Sequence, residues 1–128
     1  MPTILLVEDD PMNLDMMTRH LKWEGYRVIT ATNGVQAVAL ARSAAVDLIL
    51  MDMGLPIMNG WQATERLKTG ADTRDIPIIA LTAYALTEER IKSLAAGCDD
   101  IETKPVDFTR LWAKMKRYLA HMPDPAAS

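Results

Sequence analysis

The stretch that most constrains the fold is a short apolar run at residues 48–51, Leu-Ile-Leu-Met, which a single acid, Asp52, follows directly. The run has no alternation of polar and apolar residues, and it is shorter than an ordinary helix. Such runs are typical of strands that are covered on both faces of a parallel sheet. We therefore predict that this segment is the central strand of a sheet, with Asp52 at its carboxyl end.

Short strand-like segments alternate with helical segments along the chain. The predicted strands are residues 4–7, 26–31, 47–51, 76–81 and 99–103. Apolar residues recur at helical spacing in the segments between and after them, at 11–24, 35–45, 59–69, 88–96 and 108–119. Strict alternation predicts an α/β fold, a doubly wound five-stranded parallel sheet with helices on both faces, in three layers. The second strand is less apolar than the first, which places it nearer an edge.

Capping residues and glycines mark the ends of the predicted helices. Asp10, which precedes Pro11, is predicted to be an N-cap, and so are Thr87 and Asp107. Gly97 has the position of the residue just after a helix end. The inward-facing residues of the fourth helix are predicted to be Ile91, Leu94 and Ala95.

The tryptophans and the cysteine are predicted to serve mainly in packing. Trp23 and Trp112 are assigned to packing, whereas Trp61 is either a partly buried packing residue or a partner contact. Cys98 is the one cysteine of the chain, so no internal disulfide can form. We expect Cys98 to be buried and without a redox role.

The composition indicates a single globular domain. The chain has 128 residues, 49% of them hydrophobic, and a net charge of -3. We expect one domain, followed by a flexible tail at 122–128. The charge argues against direct binding to nucleic acid. No stretch is long and apolar enough to span a membrane, and no signal peptide is evident, so we expect a cytoplasmic protein.

Polar groups stand at the carboxyl ends of four predicted strands. They are Glu8 and Asp9 after the first strand, Asp52 after the third, Thr82 after the fourth and Lys104 after the fifth. Ligands of parallel α/β sheets bind beyond these ends, so the five side chains are predicted to share one rim.

The residue types on this rim suit phosphoryl transfer. A cluster of carboxylates without His or Cys favours a hard ion such as Mg²⁺. A carboxylate can act as a nucleophile and form an acyl phosphate, and the rest of the chemistry needs alignment and positive charge. Lys104 supplies a charge and Thr82 a hydroxyl donor. Each group alone reads as an ordinary surface residue, and only their coincidence predicts phosphorylation of Asp52.

Four blocks of the sequence resemble the signature motifs of the response-regulator receiver domain, of the CheY-like superfamily. They are Val7-Glu-Asp-Asp10, Leu50-Met-Asp-Met-Gly-Leu-Pro-Ile-Met-Asn-Gly60, Leu81-Thr-Ala83 and Thr103-Lys-Pro105. The resemblance covers residues 3–121 and implies a flavodoxin-like (βα)5 receiver fold. The blocks Leu81-Thr-Ala-Tyr-Ala85 and Gly97-Cys-Asp-Asp100 are most similar to DivK-type single-domain receivers and to the receivers of hybrid kinases.

The resemblance implies a role for each residue on the rim. Asp52 matches the phosphoacceptor, and Asp9 and Asp52 match direct Mg²⁺ ligands, with the backbone carbonyl of Gly54 as a third. Glu8 matches an acid that reaches the ion through water. Thr82 matches the switch hydroxyl and Lys104 the lysine that pairs with a phosphoryl oxygen. The Lys104–Pro105 bond is expected to be cis.

Three positions depart from the family pattern or bear on its regulation. Ile101 stands where the family usually has a Tyr or Phe whose ring swings inward on activation, so an aromatic switch cannot operate at this position. Gly54 and Tyr84 match positions that tune the lifetime of the phosphoryl group through water access. Gly54 leaves the site open, whereas Tyr84 is able to cover it or to remain an exposed loop residue.

The first helix is the predicted docking edge for a partner. Met12, Asn13 and Met16 fall off its core face, and exposed methionines make adaptable contacts. The resemblance implies a sensor histidine kinase or a histidine phosphotransfer protein as the phosphodonor, and a downstream protein as the target. The alternative is that these are scattered surface residues.

Three functions follow from these residues. The first is a phosphoacceptor switch that is not an enzyme in the usual sense. A second is a phosphatase of the haloacid dehalogenase type, but Gly54 stands where that family has its second acid. A third is a binding module that is no longer phosphorylated, which the complete set of acids, hydroxyl and lysine argues against.

Overall fold

A computed structural model describes residues 1–83 and 87–120. The elements in chain order are β1 (Thr3–Val7), α1 (Pro11–Trp23), β2 (Arg27–Ala31), α2 (Gly34–Ser43), β3 (Leu48–Asp52), α3 (Gly60–Thr69), β4 (Ile78–Thr82), α4 (Thr87–Ala96), β5 (Asp100–Thr103) and α5 (Phe108–Leu119). The five strands form one parallel sheet in the order β2-β1-β3-β4-β5. The predicted fold is confirmed, with β3 at the centre and β2 at an edge.

The sheet is buried between two layers of helices. Every residue of β1, β3 and β4 is buried, which explains why these strands lack polar alternation. One face packs on α2 and α3 through Val38 and Leu67, among others. The opposite face packs on α1 and α5 through Met17, Leu111 and Met115. Among the described residues, the helices are too short or too polar to cross a membrane.

The strands reach further toward the site than the sequence predicts. β3 ends at Asp52 and β4 at Thr82, and not one residue earlier. Asp52 is in register with Leu81, so its backbone belongs to the sheet ladder. The positions of both functional side chains are therefore fixed by strands and not by a mobile loop.

Most predicted helix ends are confirmed. The side chain of Asp10 accepts a hydrogen bond from the Met12 amide, and that of Asp107 accepts one from the Arg110 amide. Gly97 has φ +111°, a left-handed conformation that suits glycine after a helix. Thr87 is the first residue of α4 and not its N-cap, so that prediction is wrong by one position.

The predicted inward face of α4 is wrong. Ile91 and Leu94 are 61% and 54% exposed, and Ala95 is also exposed. The helix turns Ser93 and Ala96 inward instead. These small side chains allow close packing, and the Ser93 hydroxyl satisfies its hydrogen bonding by accepting from Trp61 Nε1 at 3.2 Å.

The three tryptophans differ in their surroundings. Trp61 of α3 contacts two residues of α4. Its Nε1 donates to the Ser93 hydroxyl, and its ring lies 3.9 Å from the Lys92 ammonium, so it is a packing residue. Trp112 packs on Phe108, as predicted. Trp23 is 76% exposed, and its ring contacts that of His20 edge-on. Its assignment to packing is wrong, because it is the last residue of α1 and projects beyond the core.

Cys98 is buried, as predicted. Burial raises the pKa of its thiol to about 11, which keeps it protonated and unreactive at neutral pH. Residues 121–128 lie outside the described part of the chain, so the predicted domain end at 121 and the flexible tail stay predictions.

Candidate functional site

The carboxyl ends of β1, β3, β4 and β5 bring the predicted rim residues together. Carboxylate oxygens of Glu8, Asp9 and Asp52 all lie within 4.8 Å of one another. Glu8 and Asp52 are buried, whereas Asp9 is exposed. The acids therefore form one cluster that opens to solvent on the side of Asp9.

Lys104 enters the cluster from the other side. Its Nζ lies 3.1 Å from Glu8 Oε2 and 3.3 Å from Asp52 Oδ2. Burial acts against the charged form, but the hydrogen bond to Glu8 and the charge of Asp52 outweigh it and raise the pKa of Lys104. The lysine is therefore a fixed positive charge beside Asp52.

The pKa of Glu8 is affected by its burial and by the charges beside it. Its pKa rises from 4.5 to about 7, mainly because burial disfavours the carboxylate and secondly because of Asp52, while Lys104 acts in the opposite direction. Asn13 Nδ2 also donates a hydrogen bond to Glu8 Oε1 at 3.2 Å. The sequence gives no direct signal for this contact, although Asn13 lies one turn into α1 beside the rim.

Thr82 and Lys104 are coupled through the backbone. Thr82 is buried at the end of β4, in register with Thr103 of β5. The Lys104 amide donates a hydrogen bond to the Thr82 carbonyl at 2.8 Å. The Lys104–Pro105 bond is cis, as expected. The backbone of Thr82 is therefore bonded directly to that of Lys104, the residue that follows β5.

The loop after β3 closes tightly around Asp52. The Gly54 amide donates to Asp52 Oδ1 at 3.1 Å, and Gly54 is exposed, which leaves this side of the acid accessible. A Cβ on Gly60 would stand 2.4 Å from the Asp52 carbonyl oxygen, so this position requires glycine. The role of the Gly54 carbonyl as a metal ligand stays a prediction.

The predicted docking residues lie beside the cluster. Met12 is 81% exposed and Met16 is 38% exposed. A groove of about 400 Å³ runs from the cluster along α1, and its lining residues are Asn13, Met16, Met17, Lys104, Pro105 and Val106. Its polar end is at Lys104 and Asn13, and the remainder is apolar.

Of the positions assigned to regulation, the structure describes Gly54 and Ile101 but not Tyr84. Ile101 is buried in the core cluster that packs against α2 and α3, so the switch position holds a fixed aliphatic residue. Tyr84 lies outside the described residues, and its predicted effect on water access stays a prediction.

The acid cluster fits a divalent cation of the magnesium type. Its donors are all carboxylate oxygens, and one side is open. The pKa of Glu8 is raised first by burial and then by the neighbouring Asp52, so its charged form is disfavoured when no cation is bound. A hard cation favours that charged form and leaves room for waters and for phosphate oxygens. Glu8, Asp9 and Asp52 are all within reach of such an ion, and the predicted division between direct ligands and a water-mediated one stays a prediction.

Residues 4–116 match the family model described as the response regulator receiver domain. The polar-differentiation response regulator DivK of Brucella anthropi is 38% identical over 119 residues, which cover 91% of this chain and 95% of that protein. The DNA-binding regulator RpaA of Synechocystis is 36% identical, over 93% of this chain. The chain spans about half of the length of RpaA, 49%.

Solved structures show the same similarity. The receiver domain of the sensor histidine kinase PA1611 from Pseudomonas aeruginosa, which has a magnesium ion coordinated in its active site cleft, is 39% identical with a TM-score of 0.88, over 93% of this chain and 98% of that one. A CheY-like receiver domain protein from Methanospirillum hungatei is 32% identical with a TM-score of 0.86, over 94% of each chain.

Proposed function

This chain belongs to the response regulator receiver domain family, and on that premise we propose that it is a phosphoacceptor switch in a two-component phosphorelay. Asp52 accepts a phosphoryl group from a phosphohistidine on another protein. The observation that carries the proposal is the position of Asp52, buried at a strand end, with Lys104 Nζ at 3.3 Å and two more acids beside it.

The residues around Asp52 suit an in-line transfer. A carboxylate oxygen of Asp52 forms a bond to phosphorus while the phosphorus–nitrogen bond of the donor histidine breaks, and the histidine ring keeps the electron pair. Lys104 stays within reach of a phosphoryl oxygen and stabilises its charge. Thr82, next to Lys104 through the backbone, supplies a hydroxyl that donates to another oxygen of the group.

Asp9 and Asp52 would hold the cation, with the Gly54 carbonyl as the further protein ligand. Mg²⁺ bound there supplies positive charge to the phosphoryl oxygens. Glu8 stays in the second layer, where Asn13 and Lys104 hold its side chain. These residues keep the acids within one ion's reach, so no large rearrangement is needed for binding.

The groove along α1 is the proposed docking surface for the phosphodonor. Asn13 and Met16 line the groove, and the exposed Met12 offers a further flexible apolar contact on the same helix. A histidine kinase or a histidine phosphotransfer protein presents its histidine on a helix, which suits a groove that begins at Lys104. Output then passes by contact with a downstream protein or by onward transfer to a histidine.

The domain acts as a switch and not as an enzyme that turns over a substrate. It promotes its own phosphorylation and slow hydrolysis, and each event uses the same Asp52. Transfer of a phosphoryl group from the phosphohistidine of a kinase also fits a cytoplasmic location for the domain. The haloacid dehalogenase type of phosphatase needs an acid where this chain has Gly54, so steady turnover of phosphomonoesters is not expected.

Phosphotransfer from purified donors tests this function. Candidate histidine kinases and histidine phosphotransfer proteins, autophosphorylated with labelled ATP, are mixed with the chain and Mg²⁺, and transfer rates are compared. We expect rapid transfer from at least one donor to wild type and none to Asp52→Asn. A binding module without phosphorylation would show no transfer from any donor and no labelling by acetyl phosphate.

A further inference from the structure

The loop that joins β3 to α3 leaves the site and returns to it. It consists of residues 53–59, and the Gly60 amide just after it donates to the carbonyl of its first residue, Met53, at 3.1 Å. Gly54, whose carbonyl is the predicted further ligand of the ion, lies in the first part of this loop and is exposed. The position of Gly54 therefore depends on the shape of a closed loop beside Asp52.

The conformation of this loop is not one that its own residues favour. Ile57 has φ +66°, in the left-handed region, which is unfavourable for a β-branched residue. The same residue is 84% exposed, so burial of its side chain gives little in return. Contacts with other elements must therefore keep the loop in place.

The first turn of α2 supplies such a contact. The Gly34 amide donates a hydrogen bond to the Met58 carbonyl at 3.0 Å, one residue beyond Ile57. An amide at the first position of a helix has no partner within that helix, and the side chain of the cap, Asn33, accepts from the Gln36 amide instead. The bond from Gly34 therefore serves the contact between α2 and the loop, and not α2 alone.

The same contact leaves room only for glycine at position 34. A Cβ there would overlap the Met58 carbonyl oxygen and stand 2.9 Å from the Met58 Cβ and Cγ. The helix is not free to withdraw, because Ala37, Val38 and Ala41 bury its inner face in the core. A larger residue at position 34 should therefore displace the loop and not the helix.

We propose that Gly34 is a positioning residue for the magnesium site. By holding Met58, it keeps the loop 53–59 in the conformation in which Gly54 and Asp52 bind one cation together. Gly34 acts on the ion only through this loop. The inference rests on the proposed function, in which the cation supports phosphoryl transfer to Asp52.

The variant Gly34→Ala tests this role, with Gly70→Ala as the matched control. Gly70 follows α3 at the end opposite Gly60, and a Cβ there would stand 2.6 Å from Thr73 Oγ1, so both variants add a methyl group in a crowded place. Urea unfolding compares their stability. NMR titration of the full chain with Mg²⁺ gives the dissociation constant. Labelling by acetyl phosphate at increasing Mg²⁺ gives the half-saturating concentration and the maximal rate.

We expect Gly34→Ala to weaken Mg²⁺ binding about tenfold, which is a usual effect of removing a group that orients metal ligands. The half-saturating concentration of Mg²⁺ should rise by the same factor. The maximal rate at saturating Mg²⁺ should stay close to that of wild type, because the bound metal restores the loop. Gly70→Ala should lose stability and keep the wild-type values of both quantities.

Wild type offers a second test that does not depend on the folding of any variant. A contact that supports binding is itself strengthened by binding, because coupling between two sites is reciprocal. Hydrogen exchange of the Gly34 amide should therefore slow by about tenfold in saturating Mg²⁺, the same factor as in the variant. The Ala44 amide, which bonds to the Leu40 carbonyl at the other end of α2, is the internal control and should not respond.

The outcomes that would overturn the inference differ from the one that would overturn the function. If wild type with Mg²⁺ is not labelled by acetyl phosphate, the proposed function fails and takes this inference with it. If wild type is labelled, the function stands, and three results would show that Gly34 is only structural: unchanged Mg²⁺ binding in Gly34→Ala, equal weakening in Gly70→Ala, or a Gly34 amide whose exchange does not respond to Mg²⁺.

Discussion

Glu8 is a buried acid whose protonation depends on the charges beside it. Its pKa is raised from 4.5 to about 7, so below about pH 7 the folded, metal-free domain favours the protonated form of Glu8. Glu8 therefore contributes most to stability below pH 4.5, and this contribution is lost as the pH rises through about 7. In Glu8→Gln this loss should disappear.

Denaturant unfolding in EDTA at pH 5 and pH 8 measures the effect. We expect the fall in unfolding free energy between these pH values to be smaller in Glu8→Gln than in wild type, by on the order of 2 kcal/mol. Glu65→Gln, which changes an exposed acid of α3, is the matched control and should behave as wild type does. Equal pH dependence in all three proteins would contradict the buried, coupled state of Glu8.

Binding of Mg²⁺ should offset the loss of stability that a rise in pH causes through Glu8. A cation beside Glu8 and Asp52 favours their charged forms, so metal binding releases a proton when Glu8 is protonated. The rise in Tm caused by Mg²⁺ should therefore be larger at pH 8 than at pH 5.5. Differential scanning calorimetry checks this, and Asp9→Asn should lower the rise at both pH values. A rise that is independent of pH would place the ion elsewhere.

Lys104 is expected to have opposite effects on metal binding and on phosphorylation. Its Nζ pairs with Glu8 and Asp52, so it competes with a cation for them. Lys104→Met should bind Mg²⁺ severalfold more tightly, by calorimetric titration, yet accept a phosphoryl group at least about tenfold more slowly, a cost of about 1.4 kcal/mol in the transition state. Weaker binding of Mg²⁺ would show that the lysine supports the acids and does not compete with the ion.

At the scale of single residues, the sequence predicts which groups meet but not how they pair. Ligands of parallel sheets bind beyond the carboxyl ends of the strands, and this rule is sufficient to place five residues on one rim: Glu8, Asp9, Asp52, Thr82 and Lys104. The hydrogen bond from Asn13 to Glu8 and the pairing of Lys104 with two acids depend on rotamers and on depth of burial. Those properties are set by packing between elements, which no local pattern specifies.

Among the elements, α4 shows where hydrophobic periodicity is ambiguous. Two faces of this helix are possible, and the one with the larger apolar residues, Ile91 and Leu94, faces outward. Ser93 faces inward because Trp61 of α3 provides its hydrogen-bond partner. That partner lies 32 residues away in sequence, so the pattern of α4 alone cannot predict it.

Substitutions on α4 and α3 test this orientation. Ile91→Lys should change the unfolding free energy by no more than about 0.5 kcal/mol, as is usual for exposed positions. Leu67→Ala, in the core side of α3, should cost about 2–5 kcal/mol. Urea unfolding measures both. A loss of more than about 2 kcal/mol in Ile91→Lys would show that Ile91 is buried after all.

For the strands, the sequence is a better guide, for a physical reason. β1, β3 and β4 are buried on both faces, so they appear as unbroken apolar runs. β5 is harder to interpret, because Asp100 and Glu102 make it polar. These acids are paired with Lys114 and Arg110 of α5, and the four-residue spacing from Arg110 to Tyr118 is the sequence signal that could have revealed the pairing.

For the whole molecule, the alternation of strands and helices determines most of the architecture. Parallel strands joined by right-handed crossovers require helices on both faces and a shared functional edge. The central place of β3 and the edge place of β2 follow from their hydropathy. The full order β2-β1-β3-β4-β5 depends on crossovers that hydropathy alone does not specify.

Phosphorylation of Asp52 is the event on which the proposed function depends, and intact mass spectrometry detects it. Wild type and Asp52→Asn are incubated with acetyl phosphate, with Mg²⁺ or with EDTA. We predict that wild type gains the mass of one phosphoryl group only with Mg²⁺, and that Asp52→Asn gains none. Wild type that remains unmodified with Mg²⁺, or an adduct that is equally abundant in Asp52→Asn, would contradict the proposed function.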